Sequence, residues 1–271
     1  MTQRIAYLDC HSGISGDMLL GAFLDAGLPL EALHAALKGL PFAGYELKLT
    51  PFKDQGITGS RFEVLLTEQE QPTRSFTDIA ALLESSTLSP WVRDTSVAIF
   101  RTLGEAEAQI HGVSLEEIHF HEVGAIDAIV DIVGNVSAIE ALGISKLYAS
   151  PLPLTRGHLR MAHGLMPIPA PATLKILSKV KAPWVPSPLE GEFVTPTGAA
   201  ILATLATFEM PAIAIEEVGY GFGKKQTIWP NCVRAYIGDA YGQTNHHQES
   251  LLGHHHNHPH HHELTAPAQP L

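Results

Sequence analysis

Two carboxylates stand out in the stretch with the strongest chemical character, HFHEVGAIDAIVDIVG at residues 119–134. Asp127 and Asp131 are four residues apart, so a helix places both on one face. The residues around them are apolar almost all round, which predicts a buried helix. Two carboxylates on a buried face repel each other and are costly to ionise. No Lys or Arg occurs between Arg101 and Lys146, so the pattern suggests compensation by a bound cation.

Imidazole groups stand immediately before these carboxylates. His119 and His121 alternate, so an extended segment turns both towards one side, and Glu122 adds a further carboxylate. Nitrogen and oxygen donors together suit Ni²⁺, Zn²⁺ or Fe²⁺. We therefore predict a metal or polar active site from His119, His121, Glu122, Asp127 and Asp131. The alternative is structural, with carboxylates that cap loops or pair with distant arginines and histidines that bond to the backbone.

A second motif, LDCHSGISGDM at residues 8–18, predicts a strand, a glycine-rich loop and the start of a helix. Backbone N–H groups and the helix dipole at such a place favour an anion, although a plain tight turn with a helix cap is the alternative. Asp9, His11 and Asp17 add groups that bind metals or move protons, and they are the predicted catalytic residues. The predicted anion-binding residues lie in this loop and at a second helix start, namely Ser12, Gly13, Ser15, Gly16, Thr197 and Gly198.

The C-terminal segment, residues 241–271, has no Lys or Arg and no apolar periodicity, which predicts a disordered tail. Asn257 and Pro259 interrupt its histidine run, which favours a native metal-binding tract over an expression tag. Near neutral pH most of these imidazoles are unprotonated and can bind a divalent metal. The predicted ligands are His254, His255, His256, His258, His260, His261 and His262.

Strands and helices alternate before the tail without a regular strand–helix–strand rhythm, so a mixed α/β or α+β fold is expected. We predict a single globular domain over residues 1–240. The predicted strands are 4–10, 44–52, 57–67, 144–150, 211–218 and 232–238, and the predicted helices are 15–26, 30–40, 75–88, 90–110, 124–142, 172–180 and 198–207. Residues 151–188 hold eight prolines, which predicts irregular backbone around one helix. The glycines of GYGFGKK predict a turn.

The amino-acid composition excludes several classes of protein. Apolar residues make up 45% of the 271 residues, which excludes global disorder. The net charge of −11 disfavours nucleic acid and anionic membrane surfaces as partners. Two cysteines are too few for a disulfide framework in a chain this long. Because no apolar run has the length of a signal peptide or a membrane span, a cytoplasmic protein is expected, and it could be a homo-oligomer.

Together these motifs resemble the nickel insertion proteins of the nickel-pincer cofactor pathway, the LarC family. The resemblance runs through LDCHSGISGDM, RSFTDI, HFHEVGAIDAIVDIVG, YASPLPLTRG, AHGLMPIPAPATL, EFVTPTGAA and GYGFG, and covers nearly all of residues 4–239. It implies a nickel-inserting lyase, a cyclometallase or chelatase, that places Ni²⁺ into pyridinium-3,5-bisthiocarboxylic acid mononucleotide. Two Ni–S bonds and one Ni–C bond form, and the reaction depends on CTP hydrolysis with Mn²⁺ or Mg²⁺. The product is the cofactor of lactate racemase and related enzymes.

One departure from that family concerns the C-terminus. Full-length relatives carry a further domain that is associated with CTP and its metal, whereas this chain ends in the His-rich tail. It resembles the N-terminal part of a split version, so the implied partners are the mononucleotide substrate, a C-terminal partner or frameshift product, and a racemase that receives the cofactor.

The resemblance also suggests a role for each motif in the reaction. Nickel would rest in the 119–131 cluster, the Gly13–Gly16 loop would hold the substrate phosphate, and Asp9 or His11 would take the proton lost from the ring. Two other functions stay open. One is nickel storage or delivery without catalysis, and the other is metal-dependent hydrolysis of a phosphoester.

Overall fold

A mixed seven-stranded sheet positions the segments of interest. The structure, a computed structural model, describes residues 3–67, 73–120, 126–161 and 164–242. Its helices are α1 Gly16–Asp25, α2 Leu30–Leu37, α3 Phe76–Glu84, α4 Pro90–His111, α5 Ile126–Ala141, α6 Pro171–Lys179 and α7 Pro196–Leu205. Its strands are β1 Arg4–Asp9, β2 Tyr45–Asp54, β3 Ile57–Leu66, β4 Arg74–Ser75, β5 His119–Phe120, β6 Lys146–Ala149, β7 Leu152–Arg156, β8 His158–Met161, β9 Gly164–Pro167, β10 Trp184–Glu190, β11 Ala206–Thr207, β12 Ile213–Phe222 and β13 Cys232–Ala240. The large sheet has the order β11-β6-β1-β13-β12-β3-β2.

The two faces of this sheet are packed unequally. In β1, Ala6 and Leu8 belong to the main hydrophobic core, whereas Ile5 and Tyr7 lie in a small cluster of their own, as the alternation of a strand requires. Helix α1 packs on β12 and β3, and α5 packs on α1. Strand β1 pairs in parallel with β6 and antiparallel with β13. The end of β1 therefore delivers the glycine-rich loop to the middle of the sheet.

Helix α5 is buried along most of its length, which confirms the prediction from its apolar sequence. Ile129, Val130, Ile132 and Val133 are fully inaccessible to solvent. Such a helix must bring any polar side chain that it carries into the protein, unless that side chain lies near an end. Asn135 is one such polar residue and is also fully buried. Asp127 lies in the first turn of α5 and is exposed, so the prediction that both carboxylates lie on a buried face was wrong for Asp127.

Strands occupy much of the proline-rich segment 151–188, so the prediction of irregular backbone there was wrong. β7 pairs in parallel with β10, and β8 pairs with β9 as a small antiparallel hairpin. Proline is tolerated in short or edge strands, because there its missing N–H need not serve a ladder. Only the helix of this segment, α6, was predicted.

Gly219 and Gly221 of GYGFG lie in β12, so the prediction of a turn was wrong for these two glycines, whereas Gly223 follows the end of the strand. A β-carbon on Gly219 would overlap the carbonyl oxygen of Ala22, and one on Gly221 would overlap that of Met18. These glycines therefore allow α1 to lie directly against the strand. A glycine pair of this kind has the same composition as a flexible loop, which is why the sequence pattern misled.

The predicted mixed α/β class and single globular domain are confirmed, since helices and strands share one main core. Within the segments described, no helix combines the length and the apolar character needed to cross a membrane. The His-rich tract lies outside the described residues, so the tail and its boundary stay predictions.

Candidate functional site

The start of α1 is the point where the two chemical motifs of the sequence meet. Asp131, from α5, lies against Gly16 so closely that a β-carbon there would be 2.6 Å from Asp131 Oδ2. The backbone N–H of Asp17 lies near the Asp131 carboxylate and opposes the rise of its pKa. Asn135, one turn further along α5, donates to the carbonyl oxygen of Gly16 at 2.9 Å. Two polar side chains of α5 thus lie against the first residues of α1.

Asp131 is an unusual carboxylate in its charge environment. Burial raises its pKa well above the ordinary value, and the nearby carboxylates of Asp17 and Asp127 raise it further. Its Oδ1 atom is enclosed and has no hydrogen-bond partner among the described residues. The Oδ1 atom of Asn135 is likewise enclosed and has no hydrogen-bond partner among the described residues. These two enclosed oxygen acceptors, with the two further carboxylates of Asp17 and Asp127 nearby, form an environment that a cation would stabilise.

The other side of the α1 start opens into a cavity of about 250 Å³ with cationic groups. Lys224 and Lys225 line it together with Ser15 and Asp17. Lys225 Nζ donates to the carbonyl oxygen of Glu192, and burial lowers the pKa of this lysine. Lysine ammonium groups can bind a phosphate, whereas the Ser15 hydroxyl donates its hydrogen bond to Asp17 Oδ1. The remaining lining residues are Met18, Glu192, Phe193, Thr195, Gly223 and Asn231.

The two predicted anion-binding loops lie side by side. The N–H of Ile14 donates to the carbonyl oxygen of Phe193 at 2.8 Å, and the N–H of Thr195 donates to that of Ile14 at 3.0 Å. Gly198 must be glycine, because a β-carbon would lie 2.6 Å from the Ile14 carbonyl oxygen. Thr195 caps α7 by accepting from the Gly198 N–H at 3.2 Å. Of the predicted anion-binding residues, Ser15 lines the lysine cavity, whereas Gly13, Gly16 and Gly198 allow close packing; Thr197 is buried at the α7 start.

His11 lines a neighbouring cavity rather than the lysine cavity, and Asp9 is paired with Arg234, which lines the same neighbouring cavity. Asp9 forms an ion pair with Arg234 and accepts from the backbone N–H of His11 at 3.1 Å. The His11 ring lies 4.8 Å from the ring of Trp229. The Trp229 indole N–H in turn donates to Ser12 Oγ at 3.0 Å. Of the three predicted catalytic residues, only Asp17 lies at the α1 start.

Several predicted metal ligands are placed elsewhere or lie outside the described residues. His119 pairs with Ser75 in the short β4–β5 ladder, and its charge contributes to the lowered pKa of Asp78, whose main causes are hydrogen bonds from Ser75. His121, Glu122 and the tail histidines lie outside the described residues. No group of three His, Cys, Asp or Glu side chains in the described ranges is arranged to hold a metal ion. The ligand set predicted from the sequence therefore stays a prediction.

The two cysteines are poor candidates for thiolate ligands. Burial raises the pKa of both thiols, that of Cys232 to about 11. A thiol with so high a pKa stays protonated at neutral pH, and the thiolate is the form that binds metals and attacks electrophiles. Cys10 is fully buried and its sulfur contacts the Leu8 carbonyl oxygen at 3.8 Å.

The lysine cavity contains residues that the sequence analysis missed. Lys224 and Lys225 directly follow the GYGFG strand, and Thr195 precedes the predicted Thr197–Gly198 pair. The signal was present as two adjacent lysines next to a glycine-rich stretch in an acidic chain. It was not sufficient alone, because only the packing of β12 on α1 brings this stretch to Ser15.

Comparison with known proteins gives a consistent result. The family model described as nickel insertion protein matches residues 6–261. A protein of Thermomicrobium roseum named for nickel insertion is 48% identical over 250 residues, which are 92% of this chain and 61% of that protein. A similar protein of Roseiflexus castenholzii is 50% identical over 236 residues, covering 87% of this chain and 60% of its own.

One group of relatives has a more specific name. A protein of Desulfitobacterium hafniense strain DCB-2, named pyridinium-3,5-bisthiocarboxylic acid mononucleotide nickel insertion protein, is 48% identical over 238 residues, or 87% of this chain and 58% of that protein. The chain spans about three fifths of the length of these curated relatives. No solved structure matches it.

Proposed function

The chain belongs to the nickel insertion protein family, and from this we propose that it inserts nickel into pyridinium-3,5-bisthiocarboxylic acid mononucleotide. The observation that carries this proposal is the Asp131 carboxylate at the start of α1, with one enclosed oxygen that has no partner among the described residues. Two other carboxylates, Asp17 and Asp127, act on its charge, and Asp17 lines the lysine cavity. A cation acceptor beside an anion acceptor suits a reaction between Ni²⁺ and a phosphorylated substrate.

Nickel, as a substrate, would be held by the carboxylates at this point. Asp131 offers an oxygen ligand, and the Asp17 and Asp127 carboxylates act on it from nearby. Because these described carboxylates alone are not arranged to hold a metal ion, His121 and Glu122, which precede α5 by a few residues in the sequence, would complete the ligand set. Imidazole nitrogen in addition to carboxylate oxygen would favour Ni²⁺ over Mg²⁺ or Ca²⁺. The repulsion between the three carboxylates is relieved when the cation binds, which contributes to its affinity.

The phosphate of the mononucleotide would occupy the lysine cavity. Lys224 contacts Glu63 at 3.4 Å, whereas Lys225 donates to the Glu192 carbonyl oxygen and lies near the Phe193 ring. Lys225 is therefore the better oriented of the two ammonium groups. Asp17 lies at the boundary between this cavity and the nickel carboxylates, so the two substrates would meet there.

We expect Lys225→Gln to weaken binding of a pyridinium mononucleotide about tenfold, because one charge-assisted hydrogen bond to phosphate is lost. Calorimetric titration of the wild type and the variant measures this. Lys38→Gln is the matched control, since Lys38 is an exposed lysine at the end of α2. Equal affinity of Lys225→Gln and Lys38→Gln would contradict the assignment of the phosphate to this cavity.

Formation of the Ni–C bond replaces a ring C–H bond, so one proton must leave the substrate. His11 is the better acceptor of the two predicted bases, because Asp9 is engaged in an ion pair with Arg234. His11 is exposed, and its ring borders the second cavity. An imidazole at this place can take the proton and release it to solvent.

We propose that the CTP-dependent part of the reaction lies in the remaining two fifths of the relatives' length. This chain would then supply the nickel and mononucleotide sites, and a C-terminal partner would supply CTP and its Mn²⁺ or Mg²⁺. The finished cofactor would pass to a racemase. This division of the reaction between two chains is supported by the length of the relatives. In three of them the matched region is 58–61% of the relative's own length.

Nickel delivery without catalysis is a second candidate function. The seven histidines between His254 and His262 favour it, since a histidine tract binds several divalent ions without a fixed geometry. In this alternative the tail gives nickel to another protein, and the carboxylates of α5 have no role.

An insertion assay separates the two functions. The full chain, with and without a C-terminal partner, is incubated with Ni²⁺, CTP, Mn²⁺ and the bisthiocarboxylate mononucleotide, and the nickel-containing product is identified by mass spectrometry. We expect product only with the complete mixture. Complete loss of product on deletion of the tail, with all other components present, would favour delivery.

A further inference from the structure

A second cavity, of about 230 Å³, lies beside the glycine-rich loop and is built differently from the lysine cavity. We infer that it is a subsite for a planar, electron-poor aromatic ring, which stacks on Trp229. The inference rests on the proposed function, because the mononucleotide substrate named there carries a pyridinium ring. The lining residues are His11, Ser12, Ile57, Trp229, Pro230, Cys232 and Arg234.

Hydrogen bonds at the indole N–H and at the backbone carbonyl oxygen fix the orientation of Trp229. Its indole N–H donates to Ser12 Oγ at 3.0 Å, and Ser12 donates to the Pro230 carbonyl oxygen at 3.0 Å. Ser12 is almost fully buried. The Thr227 hydroxyl donates to the carbonyl oxygen of Trp229. An aromatic side chain with its polar atom satisfied and part of its ring exposed has an apolar surface to offer to a ligand.

The charge around Trp229 favours a ring with a positive charge over a neutral apolar group. An indole has the most electron-rich face of the natural side chains and attracts a cation placed over it. Arg234, the one permanently charged side chain among the described residues that line this cavity, is paired with Asp9. A pyridinium ring therefore meets no uncompensated positive charge from these residues. Its anionic substituents could still reach the exposed parts of Arg234 and His11.

The two cavities share a lining segment of the chain, as sites for two ends of one small molecule would. Asn231 lines the lysine cavity, while its neighbours Pro230 and Cys232 line the aromatic cavity. The Asn231 side chain is fixed by a hydrogen bond to the Lys225 carbonyl oxygen at 3.0 Å. Ser12 and Ser15 line the two cavities from the opposite side. Residues of the 223–232 segment thus line both the cavity assigned to the phosphate and the cavity assigned to the ring.

The test uses nicotinic acid mononucleotide, which carries a pyridinium ring, a carboxylate and a phosphate, and ribose 5-phosphate, which lacks the ring. We expect Trp229→Leu to weaken binding of the first probe about tenfold, since a ring stacked on an aromatic side chain loses its partner. Trp229→Phe keeps an aromatic face and should stay within about threefold of the wild type. Trp91→Leu, an exposed tryptophan on α4, is the matched control. Ribose 5-phosphate should bind all four proteins alike.

A fluorescence measurement tests the same contact without altering Trp229. The chain has three tryptophans, so Trp91→Phe combined with Trp184→Phe leaves Trp229 as the sole indole emitter. A pyridinium ring in contact with an indole quenches its emission, so nicotinic acid mononucleotide should quench this protein and ribose 5-phosphate should not.

The outcomes separate this subsite from the proposed function. Equal affinity of Trp229→Leu and wild type for nicotinic acid mononucleotide, or absence of quenching at saturation, would overturn the subsite. Nickel insertion by the wild type would then still stand. Conversely, a Trp229-dependent ring affinity in a protein that forms no nickel product in the complete mixture would leave the subsite intact and reject insertion.

Discussion

Asp131→Asn should lower the affinity of the folded core for Ni²⁺ by at least about 100-fold, because it removes the carboxylate around which the proposed site is built. The amide has nearly the same shape, so packing against Gly16 is retained. The measurement is a nickel titration of the wild type and the variant, both without the His-rich tail. Asp94→Asn, at an exposed aspartate of α4, serves as the control.

The same substitution should make the nickel-free protein more stable. The Asp131 carboxylate is enclosed beside Asp17 and Asp127, and its Oδ1 atom is unpartnered among the described residues. An amide removes the repulsion and can donate to either neighbour. We expect a gain of about 1 kcal/mol, which raises the melting temperature by about 2–4 °C in a domain of this size. Loss of nickel together with loss of stability would indicate a structural role for Asp131 instead.

Gly221→Ala should destabilise the protein by about 3 kcal/mol or more, the largest effect on stability that we expect from one methyl group. The new β-carbon would overlap the carbonyl oxygen of Met18 in α1. Backbone on both sides leaves no flexible side chain to move aside, so α1 must shift away from β12. Such a shift also displaces the α1 start and both cavities. We therefore expect a lower melting temperature and a weaker mononucleotide affinity in the same variant.

Gly56→Ala is the comparison for that experiment. Gly56 has a φ of +91° in the turn between β2 and β3, and a β-carbon added there would meet no atom of the other described residues within 4 Å, its chain neighbours aside. Its substitution should cost only about 1 kcal/mol of backbone strain. A similar loss of stability in both variants would contradict the close approach of α1 and β12.

Local patterns were sufficient to predict most of the secondary structure. The apolar run of β1, the buried helix α5 and the proline at the start of α4 each carry their own signal. The errors fell where composition was misleading. Glycine in β12 permits helix packing rather than a turn, and proline in segment 151–188 is accommodated in short strands.

The site was only partly predictable, for a physical reason. The spacing of Asp127 and Asp131 places them on one helix, but no local pattern says which other segment meets that helix. The contact of Asp131 with Gly16 depends on the packing of α5 on α1. Likewise, Lys225 and Trp229 reach the glycine-rich loop only through the order of strands in the sheet. Long-range packing of this kind requires the structure.

Nickel stoichiometry and affinity, measured on the full chain and on a chain that ends at Tyr241, test the central claim most directly. That claim is that the folded core holds one nickel ion for insertion. The account predicts one tight ion per chain that survives removal of the tail and disappears in Asp131→Asn. Loss of all bound nickel with the tail would contradict it and make this chain a nickel delivery protein.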